Sequence, residues 1–258
     1  RFGEEAPAAP TLARSHDLVL AADGVNSIVR NATPEAFGPS LDPRKCRYIW
    51  LGASRRLPEF TFWFRENGHG LFQVHAYPFD AETSTFIVET SEETFRRAGL
   101  HEADEAQSIA YCEQLFAKEL AGAKLLGNRS LWNQFRTLKN ERWSNGNVVL
   151  IGDAAHTAHF SIGSGTKLAF EDAIELARCI GERPGDLRGA LHQYETVRSV
   201  EVARIQNAAR NSTEWFENVR RYTVLEAPQF AYSLLTRSQR ISHENLRLRD
   251  PEWLAGLE

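Results

Sequence analysis

The strongest chemical signal in the chain is an aspartate at the end of an apolar run. In "NVVLIGDAAHTAHFSIGSGTKLAFED", residues 147–172, a strand-like segment stops at Gly152 and Asp153, and Gly163, Ser164, Gly165 and Thr166 then lead into a helical pattern. A carboxylate at the carboxyl edge of a buried strand lies where open α/β folds bind ligands, and it is suited to accept hydrogen bonds from sugar hydroxyls. The small residues let backbone N–H groups approach a ligand with the positive end of a helix dipole behind them, which favours an anion or an electron-rich oxygen. The plain alternative is a strand-turn-helix connection that uses glycine for tight packing.

The surrounding elements must hold that edge in place. "HDLVLAADGVNSIVR" predicts a short apolar strand over 18–21, a turn at Asp23-Gly24 and a helix starting near Asn26 and Ser27. So apolar a strand fits a parallel sheet covered on both faces. From 44 to 90 the texture changes to aromatic and β-branched runs, "CRYIWLGA", "EFTFWFRE", "HGLFQVHAYPF" and "TSTFIVET", which predict an antiparallel sheet of about four strands. Residues 91–121 read as helical, opening at Ser91 with Glu92 and Glu93 in the first turn and continuing with Ile109, Cys112, Leu115, Phe116 and Leu120 at helical spacing. "RSLWNQFRTL" and "NVVLIG" return to strand character. Helices are expected over 164–180 and 186–210, then a mostly helical remainder with a break near Pro228. The first ten residues read as a loop.

With 258 residues, 42% hydrophobic and 25% charged, the chain has the composition of a globular protein with a sizeable core. The net charge of -4 comes without any long block of like charge, so neither a nucleic-acid nor a membrane footprint is expected. Cys46, Cys112 and Cys179 lack metal-ligand spacing and read as buried thiols of a reducing compartment, so no metal is expected and a cytoplasmic location is. No apolar run is long enough for a membrane span and no signal segment opens the chain. The absence of any Met, including an initiator, suggests a piece of something longer.

"DLVLAADGVNSIVR", from Asp17 to Arg30, resembles over its whole length the Asp-Gly motif of the class A flavoprotein aromatic hydroxylases, and "IGDAAH" resembles their later Gly-Asp motif, which contacts FAD. With "HGLFQVHAYPFD", "STFIVET" and "IQNAARNSTEWFENV", the chain is most similar to the monooxygenase part of the salicylyl-CoA 5-hydroxylase and 2-aminobenzoyl-CoA monooxygenase type. The resemblance implies an α/β fold, with an incomplete Rossmann-like FAD-binding domain of the para-hydroxybenzoate hydroxylase type, an inserted antiparallel-sheet substrate domain and a helical C-terminal region. The expected divisions are an FAD and NAD(P)H segment at 1–43, the substrate sheet at 44–138, a returning FAD segment at 139–181 and helices over 182–258. The implied activity is hydroxylation of a small aromatic substrate, plausibly CoA-linked, through a flavin C4a-hydroperoxide with NAD(P)H and O2. The family's G-x-G-x-x-G unit for the FAD diphosphate occurs nowhere in the chain, so residue 1 is expected to lie inside the family's length. The salicylyl-CoA type also continues into a second flavin domain. A Pro that many members place near Phe160 and Ser161 is missing. The alternatives are a related flavin oxidoreductase or halogenase, against which the absent W-x-W-x-I-P motif speaks, and a non-catalytic fragment.

By that resemblance Gly152 and Asp153 bind FAD hydroxyls, while Gly163, Ser164, Gly165, Thr166 and Lys167 line the flavin's pyrimidine edge, where a helix N-terminus stabilises negative charge. Asp23, Gly24 and Arg30 are expected to support the diphosphate and the nicotinamide donor, against a bland Asp-Gly turn with a surface Arg. His156 is expected to cap or orient the loop and His159 to reach flavin or substrate. Period-two alternation puts Gln73, His75, Tyr77 and Phe79 on one face, either a ceiling over the flavin with His75 or Tyr77 acting on a ring substituent, or a solvated outer face. Trp132, Asn133 and Gln134 are weaker candidates of the same kind, and Phe60, Phe62 and Phe64 read as core. Arg204, Arg210, Arg220, Arg221, Arg237 and Arg240 suit either CoA phosphates or a salt-bridged helix face.

Overall fold

The computed structural model describes residues 3–257, so Arg1, Phe2 and Glu258, which belong to the expected N-terminal loop and C-terminal helical region, lie outside the described residues. Two compact units divide the chain: one takes the chain up to Asp42, Arg136–Trp215 and the residues from Glu226 onward, the other Pro43–Phe135 and Phe216–Leu225.

In the first unit the strand Val19–Ala21 pairs in parallel with Val148–Leu150, Val19 opposite Val148 and Ala21 opposite Leu150, and Ser144–Asn145 pairs antiparallel on the other side. Val148, Val149 and Leu150 are all buried, as a strand covered on both faces requires. Helix Gly165–Glu182 buries Leu168, Asp172, Leu176 and Cys179, one stripe at helical spacing. Helix Leu187–Glu217 buries Ala190, Leu191, Tyr194, Arg198 and Val202 in the same manner, and the Tyr194 hydroxyl donates to the Leu150 carbonyl at 3.1 Å. This helix outlasts the expected end at 210 because Trp215 and Phe216 carry the apolar stripe onward. The first ten residues, read as a loop, carry no helix or strand over residues 3–8, but Ala9 and Pro10 already belong to the helix Ala9–Ser15, with Pro10 in the first turn, where a missing N–H costs nothing. Pro228 likewise starts the helix Ala227–Thr236.

In the second unit the strands run in the order Thr61–Asn67, Gly70–Pro78, Ser84–Ser91, Pro39–Ala53 and Leu125–Leu126. Three successive hairpin arms thus lie side by side, and the strand that precedes them in sequence pairs with the last of them. The register aligns Phe62, His75, Ile87 and Trp50 in one row and Phe64, Gln73, Glu89 and Tyr48 in another, all on one face. The opposite face supplies Ile49, Leu51, Phe72, Val74, Ala76, Phe86 and Val88 to a core closed by Cys112, Phe116 and Leu120 from the helical stretch 105–120. Trp63 packs against that core. Phe60, Phe62 and Phe64, read as core, lie on the other face, and Phe60 is 54% exposed; alternation allows only one of Trp63 and its neighbours to point inward.

All three cysteines are free and buried. Burial pushes the Cys112 thiol up to about 12 and also raises Cys46 and Cys179. Among the described residues no helix is long and apolar enough to cross a membrane, and no group of three metal-ligating side chains forms.

Candidate functional site

The parallel register of the first unit brings the two turn motifs together. Ile151 N donates to Ala21 O at 3.0 Å, so Asp23-Gly24 and Gly152-Asp153 leave the sheet side by side at its carboxyl edge. Gly24 and Gly152 adopt φ of +81° and +58°, conformations that favour glycine. A Cβ on Gly152 would also come within 3.1 Å of the Ala169 Cβ, so its absence lets the turn lie against helix Gly165–Glu182.

Asp23 and Arg30 both act on the backbone of this edge. One Asp23 carboxylate oxygen accepts from Ile28 N at 2.8 Å and Val29 N at 3.3 Å, and Ser27 Oγ accepts from Arg30 N at 3.0 Å, which satisfies the first amides of helix Ile28–Ala32. Arg30 is not a surface residue: at 1% exposure its guanidinium donates to Ala154 O at 3.0 Å, to Val25 O at 2.5 Å and to Asn31. Burial lowers its pKa, opposed by the charge of Asp23. The contact to Ala154 ties the turn after the first strand to the turn after Val148–Leu150.

Asp153 is different in kind. Its side chain is exposed and accepts no hydrogen bond from any described residue, and partial desolvation raises its carboxyl above the usual range, with His156 opposing. Beyond it, the helix Gly165–Glu182 begins without a side-chain cap, and the first-turn N–H groups of Gly165, Thr166 and Lys167 meet no acceptor among the described residues. Gly163 makes the approach with φ +61°. Ser164 is buried with its hydroxyl on Ile162 O, Thr166 is exposed, and the Lys167 ammonium pairs with Glu171. The loop leading in is fixed: His159, 3% exposed, stacks on Phe160 at 4.1 Å and its Nδ1 accepts from Ser161 N, while Ser161 and Ser212 hydroxyls meet at 2.9 Å.

Sequence reasoning passed over the buried carboxylate beneath this edge. Asp172, fully buried, accepts from Gly152 N at 2.9 Å, His156 Nε2 at 2.8 Å and Arg198 Nε at 2.8 Å. Burial pushes its carboxyl up, but the His156 and Arg198 contacts and the Gly152 amide outweigh it and hold it below the usual range. His156 therefore orients the loop as expected, with its ring 4.8 Å from that of Trp143. The missed signal was a charge on each apolar stripe: Asp172 follows Leu168 by four residues, and Arg198 follows Tyr194 by four.

The second unit holds its own polar cluster on the sheet face that carries His75. The buried Glu89 accepts from Gln73 Nε2 at 2.9 Å and meets His75 Nε2 at 3.2 Å. Gln73 Oε1, equally buried, has no hydrogen-bond partner among the described residues. Phe216 and Phe62 flank the His75 ring at 4.5 and 5.1 Å. This face is not a solvated one at Gln73 and His75; Tyr77 is half-buried and stacked on Phe60, and Phe79 is exposed. Trp132 donates to Ser108 Oγ and Gln134 to Arg44 O, while Asn133 bonds its own loop, so none of the three side chains is oriented by this cluster. Of the arginines, Arg204 and Arg220 pair with Glu201 and Glu66, each at 2.8 Å, and Arg237 donates to Ser161 O and Ser212 Oγ; burial lowers its pKa to about 10.

Comparison with known proteins gives the chain its family. A family described as FAD binding domain matches residues 14–209. The chain is 42% identical over 248 residues to the salicyloyl-CoA 5-hydroxylase of a Streptomyces species, covering 92% of this chain and 48% of that protein. It is 45% identical over 201 residues to the 3-hydroxy-4-methyl-anthranilyl-[aryl-carrier protein] 5-monooxygenase of Streptosporangium sibiricum, covering 78% and 53%. The chain thus spans about half the length of these curated relatives. Among solved structures, PqsL, a probable FAD-dependent monooxygenase from Pseudomonas aeruginosa, aligns with a TM-score of 0.58 at 22% identity over 81% of this chain and 58% of that one, a likeness of fold. The chain belongs to the FAD-binding-domain family of flavin-dependent aromatic hydroxylases.

Proposed function

We propose that the protein bearing this chain hydroxylates an aromatic ring presented as an aryl thioester, using FAD, NAD(P)H and O2. The observation that carries the cofactor side is Asp153: a carboxylate without a hydrogen-bond partner among the described residues, raised above its usual pKa, in the same unit as an uncapped helix start. A group rich in hydroxyls and electron-rich oxygens answers both, so the residues present fit the ribityl or ribose hydroxyls and the pyrimidine edge of FAD. Asp153 accepts from the hydroxyls; the amides of Gly165, Thr166 and Lys167 donate to the edge. Asp23 and Arg30 act one step back, holding the two turns in register. Bound FAD supplies two-electron exchange and activation of dioxygen.

On the sheet, a proton on His75 Nε2 donated to Glu89 makes Nδ1 the acceptor nitrogen of the ring. That nitrogen takes the proton from a ring hydroxyl or amino group and makes the ring more electron-rich, the open Gln73 Oε1 accepting a second hydrogen bond from the substrate. Tyr77 on the same face orients the ring. The thioester follows from the two relatives, whose names specify a CoA-linked and a carrier-linked aryl group. Three buried free thiols support a reducing, cytoplasmic setting.

The test supplies FAD to the purified protein and measures NAD(P)H oxidation coupled to hydroxylated product across benzoate-type acids and their CoA thioesters. The thioester is expected to be the better substrate, and Asp153→Ala to lose flavin and turnover together. Unchanged flavin content and turnover in that variant would overturn the assignment.

A further inference from the structure

A cavity of about 530 Å³ in the second unit is lined by none of the residues assigned a role above. That volume falls within the range of small-molecule sites. One wall is the sheet itself, where Trp50, Gly52 and Thr85 share the face of His75 and Glu89; the other is the loop 127–131. Four large apolar side chains line it while open to solvent, Trp50 at 45%, Phe79 at 61%, Leu126 at 43% and Leu131 at 64%. Such a concentration marks a binding surface rather than scattered exposure.

The loop is firmly seated. Ser130 Oγ donates to Trp50 O at 2.6 Å, Ser130 N to Glu105 Oε1 at 2.7 Å, and Asn128 N to Ser130 Oγ at 3.2 Å. Between these anchors Arg129 is held at φ +56°, a left-handed conformation unfavourable for a side chain of its kind. Arg129 is exposed, lines the cavity and finds no acceptor or carboxylate among the described residues. The cavity therefore combines an apolar trough with one uncompensated cation carried by an anchored loop.

We propose that this cavity binds the 4'-phosphopantetheine arm of the thioester substrate, its phosphate on Arg129 and its stem against Trp50, Leu126 and Leu131. The proposal rests on the thioester reading above and adds the site that recognises it. Charge complementarity selects the occupant: a planar guanidinium fork matches a phosphate, and the apolar trough matches the stem. The row Trp50, Ile87, His75 places the cavity two strands, about 10 Å, from the imidazole, so an acyl group at the end of the arm lies on the face of His75. The same arm occurs in CoA and on carrier proteins, so one site serves either source.

The test is binding, independent of flavin and turnover. Phosphopantetheine is titrated calorimetrically into the protein and its Arg129→Glu and Leu131→Glu variants, with unphosphorylated pantetheine as control. Arg129→Glu is expected to weaken phosphopantetheine binding about tenfold and to leave pantetheine unaffected, whereas Leu131→Glu weakens both. CoA and a phosphopantetheine-bearing carrier protein are then run as competitors, and the tighter one identifies the source. No saturable binding, or equal binding by wild type and Arg129→Glu, overturns the proposal even if the protein hydroxylates free acids. A concentration-dependent dimer lost in Leu131→Glu, without arm binding, overturns it in favour of a second copy as occupant.

Discussion

Asp172 in the first unit and Glu89 in the second are equally hidden, at 0% and 1% exposure, yet their surroundings differ in what they allow. Asp172 is matched by the Arg198 guanidinium, by His156 and by a backbone amide. An arginine keeps its proton at any working pH, so that charge balance is locked, and what it locks is the turn at Gly152. Glu89 meets a carboxamide and an imidazole, and the carboxamide's oxygen is left without a partner. A buried acceptor without a donor is costly unless a ligand completes it. The first cluster is clamped by a guanidinium, while each cluster leaves one buried polar atom, His156 Nδ1 and Gln73 Oε1, without a partner among the described residues.

The sharpest way to break this contrast is Asp172→Ala, which strands a buried guanidinium and is expected to cost about 3–5 kcal/mol in urea unfolding. A loss below about 1 kcal/mol would remove the locking role. Since the folded carboxyl lies below its unfolded value of about 3.9, its stabilisation is present above that value and disappears as pH falls through the depressed folded value. Asp172→Asn should flatten that acid limb. Glu89→Gln, nearly isosteric, should cost about 1–2 kcal/mol but lower hydroxylation about tenfold or more at unchanged flavin content; a variant that lost stability without losing turnover would place Glu89 with Asp172. Gly152→Ala forces an unfavourable φ and a 3.1 Å approach to Ala169, with an expected cost of about 1–2 kcal/mol by thermal unfolding. Smallest is Asp153→Asn, with stability within about 0.5 kcal/mol of wild type. Its sign is opposite to that of Asp172: the raised folded pKa means that the carboxyl's contribution is lost as pH rises through that value, so the amide gains slightly at neutral pH while flavin retention falls.

Much of the fold was legible because it rests on short-range pattern. Apolar strands ending in Asp-Gly and Gly-Asp fixed the parallel edge, and alternation through "FQVHAYPF" put Gln73, His75 and Tyr77 on one face, as they are. Strand order was not legible, since nothing local says that Pro39–Ala53 pairs with Ser84–Ser91 rather than with the next strand along the chain. That pairing also decides which residues join His75 on its face, so Glu89 went unnoticed despite its place in an alternating Thr85, Ile87, Glu89 series. Arg30 was weighed against a surface residue because the Ala154 carbonyl that helps to bury its guanidinium lies 124 positions away and leaves no trace in its own neighbourhood. Phe60, Phe62 and Phe64 were misread because composition cannot say which of two aromatic faces turns to the helices.

The three cysteines give the molecule a built-in clock. Thiol reagents attack the thiolate, and burial both hides these sulfurs and suppresses their ionisation. Alkylation must therefore wait for opening. Cys46 and Cys112 time the second unit and Cys179 the first, so peptide mass spectrometry over a labelling course reads two opening rates from one unmodified chain.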